Sequence, residues 1–237
     1  HQHRTAAIGK AHQHLVALAL LQLAVQGQCT ETLGLQNLHQ LAALHLGVAK
    51  GQRADRAKVH QQLAHGIKAV SISGRHSGTL IAEKLSTLVD GSKADLGLVG
   101  TVTEVKPQEI QKLVSQGSVP VISPVATDEL GTHGFNVNAD IAAAAIAGAL
   151  AAQWLIIMTD VEGIYRNWPD KDSLISEISV EELQGIKSTF ADGMAPKVQS
   201  CLDAIGAGAH AVRIIDGRNP EALKSALLGV GGTLVFA

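Results

Sequence analysis

From residue 67 onward, short apolar runs alternate with longer amphipathic or Ala-rich segments. The short runs are rich in Val and Ile and are typical of strands, and the run at 154–159 is apolar enough for the middle of a parallel sheet. The segment at 107–116 opens with Pro and stops at Gly117, which predicts a helix. The predicted strands are 67–73, 96–105, 119–123, 135–137, 154–159, 211–215 and 233–236, and the predicted helices are 107–116, 139–153, 180–186, 194–205 and 220–228.

This alternation of strands and helices predicts an α/β fold with helices on both faces of a sheet. Ligands of such sheets bind at the carboxyl ends of the strands. We therefore expect the chemistry of the protein directly after Val137, Thr159 and Ile215.

Residues 1–66 differ in composition from the rest of the chain. They hold eight of the eleven histidines and ten glutamines but only two acids, so their formal charge is +4 and that of the remainder is −6. Segments 11–25 and 33–65 are rich in Ala, Leu and Gln, which favour helices, but neither segment has clear capping residues or a sustained apolar stripe. The histidines lack the Cys pair or HExxH spacing of a zinc site, so no metal site is predicted. This part is left unassigned.

The composition of the whole chain excludes several classes of protein. An apolar fraction of 46% is ample for a buried core, so the chain is not expected to be disordered. Two cysteines suit a reducing cytoplasm. The formal charge of −2, without a basic stripe, argues against nucleic acid as a partner. The apolar run at 15–24 is too short to span a bilayer, and we expect a cytoplasmic protein.

Three polar residues occupy alternate positions from Asn136, within the strand predicted at 135–137, to Asp140. Asn138 is placed to cap the next helix, and Asp140 falls in its first turn, where the helix dipole favours a carboxylate. A capped helix is the simplest interpretation. The alternative is functional: Asn136 carries a donor and an acceptor suited to a substrate carboxylate or amide, and Asp140 is placed to fix a lysine ammonium.

Two further segments are candidates for ligand binding: one follows a predicted strand and the other begins a predicted helix. The loop after 154–159 is either an ordinary turn or a backbone segment along a nucleotide, with Ile164 or Tyr165 against the base. Lys197 lies near a helix N-terminus, where N–H groups and a cation favour phosphate, or it is a solvated lysine. The segment at 214–220 predicts only a strand end and a helix cap.

Taken together and in this order, these segments resemble the acetylglutamate kinases of the amino acid kinase family. The family's Asn-Ile-Asn-Ala-Asp is met at 136–140 with Val in place of Ile, and its Ile-Ile-Asp-Gly-Arg is unchanged at 214–218. The family's Leu-Thr-Asp-Val-x-Gly motif is matched at 158–163 with Met158 in place of Leu. Its Gly-Gly-Met-x-Pro-Lys motif is matched at 192–197, where Asp192 replaces the first Gly. The resemblance covers about residues 66–237.

The resemblance implies a three-layer αβα sandwich of the amino acid kinase type with a mostly parallel central sheet. It implies a single domain over 1–237, with an acyl-substrate lobe at 67–152 and a nucleotide lobe at 153–237. We also expect a homo-oligomer.

The implied activity is phosphoryl transfer from ATP, with Mg²⁺ held by the nucleotide, to the side-chain carboxylate of N-acetyl-L-glutamate in arginine biosynthesis. By the same resemblance Lys197 would stabilise the transferred phosphoryl group, and Asp140 would orient the lysines. Asn136 and Asn138 would bind the acetylated amino acid. The residues implied to line the nucleotide are Asp160, Val161, Glu162, Gly163, Ile164, Tyr165, Thr189, Phe190 and Ala191.

Three N-terminal motifs of the family, Lys-x-Gly-Gly, Gly-Gly-Gly-Pro and Gly-Leu-Arg-Val-Thr, are not found in residues 1–66. They would supply a lysine and Gly loops for the phosphates and an arginine for the substrate. Their absence leaves open a catalytically silent nucleotide-binding module. A sister kinase with another acceptor is a third hypothesis, and the unchanged Ile-Ile-Asp-Gly-Arg at 214–218 argues against it. The change of composition at Gly66 also suggests a damaged, frame-shifted or wrongly assigned N-terminal segment.

Overall fold

The computed structural model describes residues 16–18, 68–87, 91–190 and 194–237. Two short 3₁₀ helices, Lys171–Ser173 and Lys187–Thr189, accompany the main elements. The strands are β1 (Val16–Leu18), β2 (Ala69–Ser73), β3 (Leu80–Lys84), β4 (Gly100–Val105), β5 (Val119–Ser123), β6 (Val125–Thr127), β7 (Gly134–Asn136), β8 (Leu155–Thr159), β9 (Glu177–Ser179), β10 (Ala211–Asp216) and β11 (Thr233–Phe236). The helices are α1 (Gly74–Ser77), α2 (Gln108–Ser115), α3 (Ala139–Ala149), α4 (Val180–Ile186), α5 (Ala195–Gly206) and α6 (Pro220–Leu227).

A five-stranded sheet in the order β1-β8-β10-β11-β9 forms one half of the molecule, and four of its strands come from the C-terminal part of the chain. β8 and β10 run parallel, with Asp216 beside Thr159 at their carboxyl ends. β11 is antiparallel to β10 and parallel to β9. All five residues of β8 are buried, as the apolar run predicts for a central strand.

The other half holds two smaller sheets. β2 and β5 form a parallel pair, and β4-β3-β6-β7 form a four-stranded mixed sheet. Helix α2 packs against this half through Ile110, which is buried in its core. The sheet ends at β7, whose last residue leads into α3.

The five-stranded sheet lies between two layers of helices. Leu155, Ile157 and Ile214 share a core with α3 and α5 on one face. Met158 and Ile215 pack with α6 on the other face. Side chains of a strand alternate between the two faces, so the nearly continuous apolar runs of β8 and β10 serve both cores and create three layers.

Helix α3 is buried between the two halves. Its residues Ala143, Ala144 and Ala147 belong to the core of the five-stranded sheet, and Ala142 and Ile146 belong to the core of the smaller sheets. A helix that contacts protein on nearly every side is apolar all round rather than amphipathic. The run of alanines therefore lets α3 approach α5 and both sheets closely.

Most sequence-based boundaries agree with the structure. The predictions for 119–123, 180–186 and 233–236 are confirmed residue for residue. Helix α3 is shorter than predicted, because it ends at Ala149 and the chain turns at Ala151, which adopts a left-handed conformation with φ 46°. The strand predicted at 96–105 begins only at Gly100.

Strands β3, β6 and β9 were not predicted from the sequence. β6 and β9 have three residues each, too few for a periodic pattern, and β3 ends in the exposed polar pair Glu83 and Lys84. The helix-leaning interpretation of 11–25 is wrong for Val16–Leu18, which is a strand paired with β8. Pairing along an apolar strand outweighs a weak helix propensity.

No helix within the described ranges is both long and apolar enough to cross a membrane.

Two helical glycines test the close approach of α3 to α5. A Cβ on Gly148 of α3 would overlap the Cβ of Ala207 at the end of α5, whereas a Cβ on Gly185 of α4 meets nothing within 4 Å. Gly148→Ala should therefore lower the free energy of unfolding by about 1–3 kcal/mol through overpacking. Gly185→Ala should leave stability unchanged or raise it by up to about 1 kcal/mol. Urea denaturation of both variants checks this, and equal effects would contradict the packing described.

Candidate active site

The N-terminus of α3 is fixed by a side-chain cap. The Oδ1 atom of Asn138 accepts hydrogen bonds from the backbone N–H groups of Asp140, at 2.8 Å, and Ile141, at 3.3 Å. This is the capped helix predicted from the sequence. The cap holds Asp140 in the first turn of α3, next to the exposed Asn136 at the end of β7.

The N-terminus of α5 supplies the second charged group. Pro196 occupies its first turn, where a missing N–H costs nothing, and Lys197 follows it. Helices α3 and α5 pack side by side through their alanines, which brings the two first turns together.

Lys197 and Asp140 form a buried ion pair. The Nζ atom of Lys197 lies 3.3 Å from Oδ2 of Asp140, and their side chains are 4% and 1% exposed. Burial raises the pKa of Asp140 above its ordinary value, although the neighbouring ammonium acts in the opposite direction. The sequence-based expectation that Asp140 is placed to fix a lysine ammonium agrees with this contact.

Both partners keep hydrogen-bonding capacity beyond this contact. Oδ1 of Asp140 is buried and has no hydrogen-bond partner among the residues placed by the structure. An ammonium has three N–H donors, and Asp140 takes one of those of Lys197. A pair with free donor and acceptor positions is suited to contact a ligand that arrives at the two helix N-termini.

Cys201 lies one helical turn after Lys197 and is fully buried. Burial, with a further contribution from the Asp140 carboxylate, raises the pKa of its thiol. A buried thiol of this kind is a packing residue and not a nucleophile.

The loop after β8 is anchored to the sheet by Thr233. Its hydroxyl accepts a hydrogen bond from the Ile164 N–H at 2.8 Å and donates to the Ile175 carbonyl at 2.5 Å. Gly163 packs so tightly on Thr233 that a Cβ there would overlap the hydroxyl. The loop therefore has one fixed path from the carboxyl end of β8.

The side chains of this loop differ in their exposure, and therefore in whether they could contact a nucleotide. Asp160 and Glu162 are exposed, and Tyr165 is mostly buried with its hydroxyl 3.3 Å from Oε2 of Glu162. Ile164 is fully buried in the core, so the expectation that its side chain packs against a base is not met. The apolar character of Ile164 indicated burial as readily as ligand contact.

The second stretch predicted to line the nucleotide is described only in part. The Thr189 hydroxyl donates to the Ile186 carbonyl at 2.7 Å, which closes the end of α4. Phe190 packs against the core beside α4 and α5. Ala191 lies outside the described residues.

The carboxyl end of β10 carries a charged pair, for which the sequence predicted only a strand end. Nε and Nη2 of Arg218 donate to the two carboxylate oxygens of Asp216, each at 2.9 Å. These bonds lower the pKa of Asp216. Asn219 caps α6, as predicted, by accepting from the Glu221 N–H at 3.1 Å. Two charged residues directly after a central strand were the signal for this pair.

The described residues contain no group of three or more His, Cys, Asp and Glu side chains that could hold a metal ion. The chemistry supported by the geometry is electrostatic. A buried ammonium and two helix N-termini meet at one edge of the sheet, which is an arrangement that attracts phosphate oxygens.

The sequence profile described as the amino acid kinase family matches residues 30–216. The acetylglutamate kinase of Nocardioides sp. is 47% identical over 171 residues, covering 70% of this chain and 54% of that protein. The acetylglutamate kinase of Corynebacterium urealyticum is 43% identical over 168 residues, covering 71% and 55%. The chain thus spans about half the length of the curated relatives it matches.

The fold of the chain is shared with a solved structure of lower identity. N-acetylglutamate synthase from Neisseria gonorrhoeae, in complex with coenzyme A and N-acetyl-glutamate, is 24% identical with a TM-score of 0.65. The match covers 77% of this chain and 41% of that chain. At this identity the similarity shows the fold alone, which is the three-layer α/β fold expected from the sequence.

A double-mutant cycle tests the buried pair. Lys197→Met leaves the Asp140 carboxylate buried without a cation, and Asp140→Asn leaves the ammonium without an anion, so each should lower the free energy of unfolding by about 3–5 kcal/mol. The double variant buries no charge at all and should be more stable than either single variant. Urea denaturation measures all four proteins, and additive losses would show that the two side chains do not interact.

The same variants test how the free energy of unfolding depends on pH. Because the pKa of Asp140 is raised in the folded chain, its contribution to stability is greatest below the ordinary carboxyl pKa and declines as pH rises through the raised value. Lys197→Met should extend this decline to higher pH, since the remaining carboxylate has no counter-ion and its pKa rises further. Asp140→Asn should remove it.

Proposed function

The chain belongs to the amino acid kinase family, and we propose on that premise that it transfers the γ-phosphoryl group of ATP to the side-chain carboxylate of N-acetyl-L-glutamate. The observation that carries this proposal is the buried pair of Lys197 and Asp140 at the N-termini of α5 and α3. The two acetylglutamate kinases at 43% and 47% identity support the choice of acceptor.

In the proposed reaction a carboxylate oxygen of the acceptor attacks the γ-phosphorus. The bond from that phosphorus to the β,γ-bridging oxygen breaks, ADP leaves with the electron pair, and the product is an acyl phosphate. Such a transfer requires little covalent chemistry from the protein and depends on alignment and charge stabilisation. The ammonium of Lys197 would stabilise the negative charge on the oxygens of the phosphoryl group during its transfer.

Asp140 has a different role in this proposal. Its carboxylate fixes the Lys197 ammonium at the helix N-terminus, so the cation is in place before the phosphate arrives. Preorganised charge of this kind needs no rearrangement during the reaction. The free Oδ1 atom of Asp140 offers an acceptor for a second N–H donor.

The donor set fits the nucleotide that the proposal requires. The buried Lys197 ammonium keeps N–H donors for phosphate oxygens, and it lies at the N-termini of two helices, whose dipoles favour negative charge. The loop at 160–165 leaves the carboxyl end of β8. Thr189, Phe190 and Ala191 complete the proposed lining. Mg²⁺ prefers phosphate oxygens and water, and bound to the nucleotide it would offset the charge of the β- and γ-phosphates.

The acceptor is proposed to bind at the carboxyl end of β7. Asn136 is exposed there and has a donor and an acceptor for a carboxylate or an acetamide. Asn138 uses its oxygen as the helix cap, so its NH₂ group is what it can offer to the substrate. In this view residues 67–152 form the acyl-substrate lobe and residues 153–237 the nucleotide lobe.

The proposed product is an activated carboxylate, which suits an early step of arginine biosynthesis. The proposal includes a cytoplasmic location and a homo-oligomer. Gel filtration with light scattering measures the latter.

The activity is tested by trapping the product. Acyl phosphates react with hydroxylamine to give a hydroxamate, which forms a coloured iron complex. With MgATP and N-acetyl-L-glutamate, the wild-type chain should produce hydroxamate and ADP in equal amounts. Lys197→Ala should lower kcat by about 100-fold or more, as expected for the loss of a cation at the transferred group.

Lys224→Ala is the matched control, because Lys224 forms an exposed ion pair with Glu221 within α6. It should leave the rate unchanged. ADP binding without any hydroxamate would instead favour the silent nucleotide-binding module. Turnover with glutamate, aspartate or carbamate in place of N-acetyl-L-glutamate would favour a sister kinase. A rate unaffected by Lys197→Ala would remove the pair from the mechanism.

A further inference from the structure

The Ile-Ile-Asp-Gly-Arg segment ends β10 with two charged side chains that the proposed reaction does not use. Nε and Nη2 of Arg218 donate hydrogen bonds to the two carboxylate oxygens of Asp216, and the Arg218 backbone N–H donates to Oδ1 at 2.9 Å. A two-point contact of this kind fixes the plane of the guanidinium group. It occupies two of the five N–H donors of the arginine, whose side chain is 62% exposed.

This pair lies at the carboxyl end of β8 as well as that of β10. Asp216 is the register partner of Thr159, and the Gly217 N–H donates to the Thr159 carbonyl at 2.8 Å. Gly217 also lies so close to β8 that a Cβ would come within 2.9 Å of the Met158 Cβ. Arg218 is therefore held beside the first residues of the loop at 160–165.

Several carboxylates lie near Arg218. Asp160 and Asp216 both act on the Arg218 guanidinium, and Asp216 and Glu162 both act on the Tyr165 hydroxyl. Three carboxylates, those of Asp160, Glu162 and Asp216, thus contribute negative charge near the start of this loop. An anionic ligand bound along the loop would be repelled by them unless a cation in the same place offset their charge.

We propose that Arg218 binds a phosphate oxygen of the nucleotide through its unoccupied N–H donors, and that Asp216 is a positioning residue that aims the guanidinium at it. This inference rests on the proposed function, because it requires that a nucleotide binds along the loop after β8. It assigns a role to the Asp216–Arg218 pair, for which the sequence predicted only a strand end.

The test measures ADP binding to the full chain by isothermal titration calorimetry. Arg218→Ala should raise the Kd for ADP about tenfold or more, as expected for loss of a charge-assisted hydrogen bond. Arg218→Lys keeps the charge without the two-point contact and should give an intermediate Kd. The difference in Kd between the wild type and Arg218→Ala should become smaller in 0.5 M NaCl. At this salt concentration the interaction between exposed charges is screened beyond about a few ångström.

Arg166→Ala is the matched control. Arg166 is also exposed and also pairs with a carboxylate, that of Glu182, at 2.8 Å. Its removal should leave the Kd for ADP unchanged. A Kd for Arg218→Ala within about twofold of the wild-type value, or an equal loss in Arg166→Ala, would overturn the assignment of Arg218.

The role of Asp216 is tested through Arg218. Asp216→Asn keeps the size of the side chain and one acceptor, and it should raise the Kd for ADP severalfold. If Asp216 acts by aiming Arg218, the Asp216→Asn/Arg218→Ala double variant should bind ADP no worse than Arg218→Ala alone. Additive losses would overturn the positioning role.

Failure of this inference can be told apart from failure of the proposed function. A wild-type chain that binds ADP and forms hydroxamate, while Arg218→Ala keeps its Kd, contradicts the inference alone. A wild-type chain that does not bind ADP contradicts both.

Discussion

The buried contact between the Lys197 ammonium and the Asp140 carboxylate is the interaction on which the site depends. Neither charge is stable in the interior alone, because removal from water costs several kcal/mol per ion. Together they hold the first turns of α5 and α3 side by side, at the edge of the sheet where the strands end. The same contact therefore orders the structure and places a cation where a phosphoryl group can be stabilised.

The contact is possible because α3 is made of small residues. Its alanines pack against α5 on one side and against the core of the smaller sheets on the other, and Gly148 lets the end of α5 approach without a side chain between them. A bulkier helix would separate the two first turns. The composition of α3 thus links the two halves of the molecule to the geometry of one ion pair.

Much of this architecture was predictable from local patterns. The apolar run of β8, the Asn138 cap and Pro196 in the first turn of α5 each specify a local conformation that the structure contains. The short strands β6 and β9 and the pairing of β1 with β8 were not predictable, because they depend on partners distant in sequence. Ile164 shows the same limit in the site, because its burial depends on a core that includes residues distant in sequence. The Asp216–Arg218 pair is a local contact, and its two charged residues were visible in the sequence.

The most direct test of the central claim is a crystal structure of the chain with MgADP, aluminium fluoride and N-acetyl-L-glutamate. Aluminium fluoride takes the place of the phosphoryl group between donor and acceptor. The account predicts the fluoride group at the N-termini of α3 and α5, with the Lys197 Nζ within about 3 Å of a fluorine and still paired with Asp140. A nucleotide bound elsewhere, or a Lys197 ammonium that makes no contact with the fluoride, would contradict it.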